Sequence, residues 1–245
     1  MAQSEEHRGR VAAVTGGSGG IGGAIAQRLA ADGAAVHVLD VKPSPDQIGA
    51  GGGKFHELDV ASEVAVERVF DAVGTEAGRI DYLICCAGIY RPRPFLDLAL
   101  DDWQQTLQIN LTGMFLCCRA ALRYMTPRQF GRIVLFSSMA ARTGGKHIAH
   151  YSASKGGILG LTRALAVESA ADNIRVNAIS PVITDTPMPR AVVTDEYMRT
   201  RKDHIPLGRI GDVQDMVEAC LFLLSDESSY VIGQDLRVNG GSTLW

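Results

Sequence analysis

Short apolar runs alternate along the chain with stretches of helical period. The runs at 10–14, Ala35–Leu39, Phe55–Leu58, Tyr82–Cys86, Ile133–Phe136, Ile174–Ile179 and Leu236–Val238 read as strands. Most are apolar almost without interruption, as parallel strands covered on both faces must be. Between them lie helical patterns. Ile21, Ile25, Leu29 and Ala30 share one face of a helix that stops at Asp32-Gly33. Ser62 caps a helix whose apolar stripe is Val66, Val69, Phe70 and Val73. Asp101–Met125, His150–Ala170 and Val213–Leu224 complete the set. Strand and helix alternate to the end, which predicts an α/β fold: one doubly wound, Rossmann-like domain over residues 1–245, with a seven-stranded parallel sheet flanked by helices. Residues 1–8 read as a disordered lead-in, Pro43–Gly53 as a loop, and 184–205, with prolines and no clear period, as a mobile lid.

The first strand runs into Thr15-Gly16-Gly17-Ser18-Gly19-Gly20-Ile21-Gly22 before the first helix, and Asp40 closes the second strand. A glycine turn between strand and helix, with an acid about 20 residues on, is the dinucleotide-binding layout. Glycines let backbone approach a pyrophosphate, and the helix N-terminus meets it with unpaired N–H groups. Gly16, Ser18, Gly20, Ile21 and Gly22 are the candidate phosphate contacts. A carboxylate at Asp40 accepts from the adenosine ribose hydroxyls and repels a 2′-phosphate, and 16–22 holds no basic residue to offset it. The expected cofactor is therefore NAD rather than NADP.

Composition narrows the partners. The formal net charge of −3 argues against nucleic acid and membrane surfaces. No apolar stretch approaches the roughly 18 residues of a membrane span. The five cysteines sit inside apolar runs with no metal-ligand spacing, which reads as free buried thiols, no metal and a reducing, cytoplasmic setting.

The remaining chemistry lies in Tyr151-Ser152-Ala153-Ser154-Lys155. Tyr151 and Lys155 stand one helical turn apart on one face. Bringing a phenol from a pKa of about 10 to near 7 takes roughly 4 kcal/mol of preferential stabilisation of the phenolate. An ammonium about 4 Å away supplies that at an effective dielectric of about 20. Ser137-Ser138 closes the fifth strand, and Asn110 sits inside the long pattern of Asp101–Met125. The period alone does not decide whether Asn110 is a core amide or holds a water against the lysine.

With these residues in order the chain resembles the short-chain dehydrogenase/reductase family from about Gly9 to Gly241. The family's T-G-x-x-x-G-x-G appears as Thr15, Gly16, Gly20 and Gly22, and its Y-x-x-x-K as Tyr151 and Lys155. The resemblance implies a catalytic set of Asn110, Ser138, Tyr151 and Lys155, with Ser138 and Tyr151 also touching substrate. It implies further cofactor contacts at Asp59, Val60, Cys86, Ala87, Gly88, Pro181, Thr184 and Thr186, and at Tyr151 and Lys155 themselves. Cys85-Cys86 replaces the family's usual pair of asparagines, and Val182 its usual glycine after the sixth strand.

The implied activity is reversible hydride transfer between a small-molecule secondary alcohol and its ketone, with Tyr151 as general acid and base. The rival expectations are an NADPH-dependent 3-oxoacyl-carrier-protein reductase and a non-catalytic NAD-binding protein. Substrate walls are expected from Ile89–Phe95, Met139–His150 and Pro187–Ile205. Helices 101–125 and 150–170 carry bulky apolar residues on more than one face, and the resemblance implies that they pair between subunits of a homotetramer or homodimer.

Overall fold

The structure, a computed structural model, describes residues 7–43 and 53–244. Among them seven parallel strands form one sheet in the order β3-β2-β1-β4-β5-β6-β7. These are β1 (Val11–Thr15), β2 (Ala35–Asp40), β3 (Lys54–Glu57), β4 (Tyr82–Cys85), β5 (Gly131–Phe136), β6 (Ile174–Ile179) and β7 (Asp235–Leu236). The central strands β1, β4, β5 and β6 are buried along their whole length. The edge strand β3 has no fully buried residue, since only one neighbour and one layer cover it.

Chain order reverses between β1 and β4, which pair side by side with Thr15 opposite Cys85. At such a switch point the following connections leave in opposite directions and open a crevice beyond the carboxyl ends of the strands. One apolar core lies on each face. On one, α1 (Gly20–Ala31) and α9 (Val213–Leu224) pack Ile25, Leu29, Val217 and Leu221 against Val14, Ile84 and Val134. On the other, α2 (Glu63–Ala77), the Leu100–Met125 rod and α6 (Ala149–Ser169) pack Phe70, Met114, Cys117 and Ile158 against Leu83 and Leu135.

The rod departs from the uniform helix expected there. It is α3 (Leu100–Leu107), a π-helical turn (Gln108–Thr112) and α4 (Gly113–Met125). The lid segment also departs from expectation: it contains α7 (Pro187–Arg190) and α8 (Asp195–Arg201). Proline in the first turn starts α7, and the Thr194 hydroxyl caps α8 by accepting from the Tyr197 N–H. A further short helix, α5 (Ala140–Thr143), follows β5. The last strand begins one residue earlier than expected and spans two residues. His7, inside the expected disordered lead-in, is buried, with its ring 3.3 Å from the Tyr82 hydroxyl; residues 1–6 and most of the expected loop 43–53 lie outside the described residues. All five cysteines are free; four are buried as expected, whereas Cys86 is half-exposed.

Candidate active site

Apart from Tyr151 and Lys155, which lie on α6, the sequence-derived cofactor residues lie at the carboxyl end of a strand or in the segment that follows it. Gly16 has a φ of +65°, and a Cβ there would lie 2.7 Å from the Ala87 N. The glycine is what lets the turn after β1 touch the turn after β4. A Cβ on Gly22 would meet the Gly16 carbonyl oxygen at 2.3 Å. A Cβ on Gly19 would meet nothing within 4 Å, so the backbone faces open space there. Gly19 is also the N-cap of α1, and no side chain caps the helix. A twelve-residue helix thus offers uncapped first-turn N–H groups over a bare glycine surface, the form a pyrophosphate requires. Asp40 Oδ2 accepts from the Ser18 N–H (3.1 Å) and Oδ1 from the Val41 N–H (2.8 Å). Both oxygens retain acceptor capacity for ribose hydroxyls. These residues fit a dinucleotide.

Other candidates are more constrained. Asp59 Oδ1 accepts from the Ala61 N–H, which ties it into its own turn. Val60 is buried, with both its side chain and its carbonyl oxygen close against Gly113. The Thr184 hydroxyl donates to the Val182 carbonyl within a buried bridge to Gly211. Thr186 stands beside Gly20, so the lid begins over the start of α1. Pro181 accepts from the Met139 N–H, joining the turns after β5 and β6. Val182 does not take a positive φ; the family's glycine there is not needed for this turn.

The catalytic candidates converge from three elements. Lys155 and Tyr151 project from α6, with Nζ 5.7 Å from the phenol ring centre. Ser138 follows β5, and its Oγ accepts from the Ala140 N–H (3.1 Å). Because that bond uses an oxygen lone pair, the hydroxyl hydrogen stays available to donate. Asn110, fully buried in the π-turn, is a clamp. Its Oδ1 accepts from the Ile89 N–H (2.8 Å), and its Nδ2 donates to the Ile89 carbonyl (3.0 Å) and to Ser154 Oγ (3.2 Å). The amide therefore braces the loop after β4 against α6.

Burial sets the electrostatics of the pair. Burial pushes the Tyr151 phenol up to about 12, opposed by the Ser138 hydroxyl beside it and assisted by the Tyr90 phenol. Burial pushes Lys155 down to about 8. Its ammonium donates to the Phe136 carbonyl (2.7 Å) in a 5 % exposed site. The lysine is thus tied to the end of β5.

Three further contributors, which the sequence placed only in the Tyr151–Lys155 segment or the expected substrate walls, make contacts that it did not show. Ser154 receives the Asn110 amide, and its presence inside the Tyr151–Lys155 segment was the available signal. His150 Nε2 pairs with the Arg91 carbonyl (2.9 Å). Tyr90 sets its ring at 84° to Tyr151, with centres 4.9 Å apart.

Residues 16–243 match the family model described as Enoyl-(Acyl carrier protein) reductase. The chain is 38% identical over 242 residues to the 3-oxoacyl-(acyl-carrier-protein) reductase FabG of Aquifex aeolicus (strain VF5), covering 96% of this chain and 97% of that one. It is 39% identical over 241 residues to the cis-4-hydroxycyclohexanecarboxylate dehydrogenase of Sinomonas cyclohexanicum, covering 96% of each. Among solved structures, the ligand-free aldohexose dehydrogenase of Thermoplasma acidophilum superposes with a TM-score of 0.91 at 29% identity, over 98% of this chain and 96% of that one.

Proposed function

The chain belongs to the short-chain dehydrogenase/reductase family of oxidoreductases, and from that premise we propose that it interconverts a secondary alcohol and its ketone with NAD. The observation that carries the reading is the convergence of Ser138, Tyr151 and Lys155 at the crevice where the glycine turn and Asp40 also lie. A bound nicotinamide supplies the hydride acceptor on oxidation, the donor on reduction, and a positive charge in its oxidised form.

The protein manages the proton. On oxidation Tyr151 Oη accepts the carbinol proton; on reduction it returns that proton to the developing alkoxide. The Ser138 hydroxyl donates to the same substrate oxygen and stabilises its negative charge. Lys155, held by the Phe136 carbonyl, presents its charge on the phenol's side of α6. Asn110 positions the loop and helix that carry the site. Burial pushes the phenol up to about 12 and so favours its acid form, which suits reduction; the positive charge of an oxidised cofactor would favour the phenolate and so oxidation.

Tyr151→Phe tests the reading. Turnover is expected to fall by about 10²–10⁴-fold, the ordinary worth of a positioned acid/base, while NAD binding by calorimetry is retained. Undiminished turnover in that variant rejects the assignment. A second reading, reduction of a carrier-bound 3-oxoacyl group with NADPH, is favoured by the names of the 3-oxoacyl reductase relatives. Asp40 argues against it, and comparing rates with NADH and NADPH separates the two. A non-catalytic NAD-binding role would leave the serine, phenol and ammonium without purpose. We propose also that copies pair through α4 and α6, where Phe115 and Val167 are exposed, and that the protein works in the cytoplasm with the 184–205 segment closing over substrate.

A further inference from the structure

Tyr90 has no role in the proton chemistry, yet it touches the residue that performs it. Its ring packs edge-to-face on Tyr151, centre to centre 4.9 Å. The backbone around it is fastened on both sides. Asn110 takes both polar groups of Ile89, His150 takes the Arg91 carbonyl (2.9 Å), and the Arg93 N–H donates to the His147 carbonyl (2.7 Å). Four anchors on three consecutive odd-numbered residues leave little freedom for the side chain between them. Tyr90 is half-buried, and its phenol is pushed up by burial and by the Tyr197 phenol of α8. One aromatic ring therefore touches the catalytic phenol and feels the Tyr197 phenol of the lid segment.

We propose that Tyr90 is a positioning and specificity-determining residue: it fixes the plane of Tyr151 and forms an aromatic wall that selects secondary alcohols whose carbinol carbon belongs to a ring. This rests on the hydride-transfer reading above. A rigid aromatic surface gains contact from a preorganised alicyclic ring at little entropic cost. A linear polyol turns hydroxyls against the same surface and leaves them without partners. A flexible acyl chain must lose rotamers to lie along it. Tyr90 and Tyr197 are well suited to this work, having few torsions and a polar tip that can face water.

The test compares wild type, Tyr90→Ala and Tyr90→Phe with cyclohexanol and 2-hexanol at saturating NAD. Wild type is expected to prefer cyclohexanol by about tenfold in kcat/KM, the scale of one aromatic contact plus its buried area. Tyr90→Ala is expected to abolish that preference, and Tyr90→Phe to keep it. A wild type with no preference, a Tyr90→Ala variant that retains it, or a Tyr90→Phe variant that loses it overturns the proposal. The pH profile gives a readout that a merely structural role would not move. The Tyr151 phenol faces Tyr90, Ser138 and Lys155, from the loop after β4, the turn after β5 and α6. Removing the Tyr90 ring admits water, so the phenol ionisation in kcat should move to lower pH. An unmoved profile removes the positioning half. Binding of cyclohexanone against 2-hexanone to the NADH complex, by calorimetry, reads the wall without chemistry. If neither alcohol turns over, the calorimetric preference and its loss in Tyr90→Ala still decide the role of Tyr90, while Tyr151→Phe separately tests the hydride-transfer reading.

Discussion

At the scale of single residues, the site turns on a few charges and on what each of them faces. Asp40 is the first of these. It holds two backbone N–H groups and closes β2 where an adenosine ribose would lie. Replacing it with serine keeps a short acceptor there and removes the repulsion of a 2′-phosphate. The ratio of kcat/KM for NAD to that for NADP should then fall by about 100-fold, from a charge–charge term of a few kcal/mol. A ratio unchanged in steady-state assays would mean that Asp40 does not read the ribose. Lys155 makes the complementary point. Burial has lowered it to about 8, so the folded protein binds this proton less readily than the unfolded chain, and the site carries a stability cost that lessens as pH rises through 8 to about 10.4, the ordinary lysine range. The charge needed for chemistry is held at the expense of the fold.

At the scale of elements, the π-turn is the decisive departure from regular structure. By widening the helix at Gln108–Thr112 it sets the Asn110 amide where it makes three hydrogen bonds, to Ile89 twice and to Ser154 once. Asn110→Ala leaves the Ile89 N–H and carbonyl without partners in a largely buried place, and should cost about 2–4 kcal/mol in urea unfolding. A loss below about 1 kcal/mol would deny the clamp. The β2–β3 edge carries a different device. His37 Nδ1 and His56 Nε2 lie 2.9 Å apart, one donating and the other accepting. Burial lowers both imidazoles, and Lys54 lowers them further while Glu76 acts the other way. With folded values below the unfolded value of about 6.5, the unfolded chain binds more protons in acid. Stability is complete above about pH 6.5 and should fall as pH drops below it. Thermal unfolding across that range should show the slope in wild type and a shallower one in His56→Gln; equal slopes would remove the pair as its source.

At the scale of the whole molecule, topology gathers the site. The reversal of order between β1 and β4 brings Gly16 against Ala87, and the turns after β2, β5 and β6 share the same edge of the sheet. The same architecture leaves apolar surface outside its two cores. On α4 and α6, Phe115 is 42% and Val167 82% exposed. If copies pair there, Val167→Glu should shift the mass measured by light scattering towards monomer with the circular dichroism spectrum unchanged. An unaltered assembly would locate pairing elsewhere. No helix among the described residues is long and apolar enough to cross a membrane.

Much of this was legible in the linear chain. Apolar runs and helical stripes determined the strand order in sequence, the α/β class and the glycine turn, because burial on two faces and close backbone approach each demand particular residue types. The pairing of Tyr151 with Lys155 was legible too, since a helix fixes its own i, i+4 neighbours. What lay beyond the sequence was every contact between segments far apart in it: the Asn110 amide on Ile89, the Phe136 carbonyl on Lys155, the Tyr90 ring on Tyr151. The phenol's ionisation belongs to that group. Spacing supplied the neighbouring cation, but only tertiary packing decided how much water was taken from both groups.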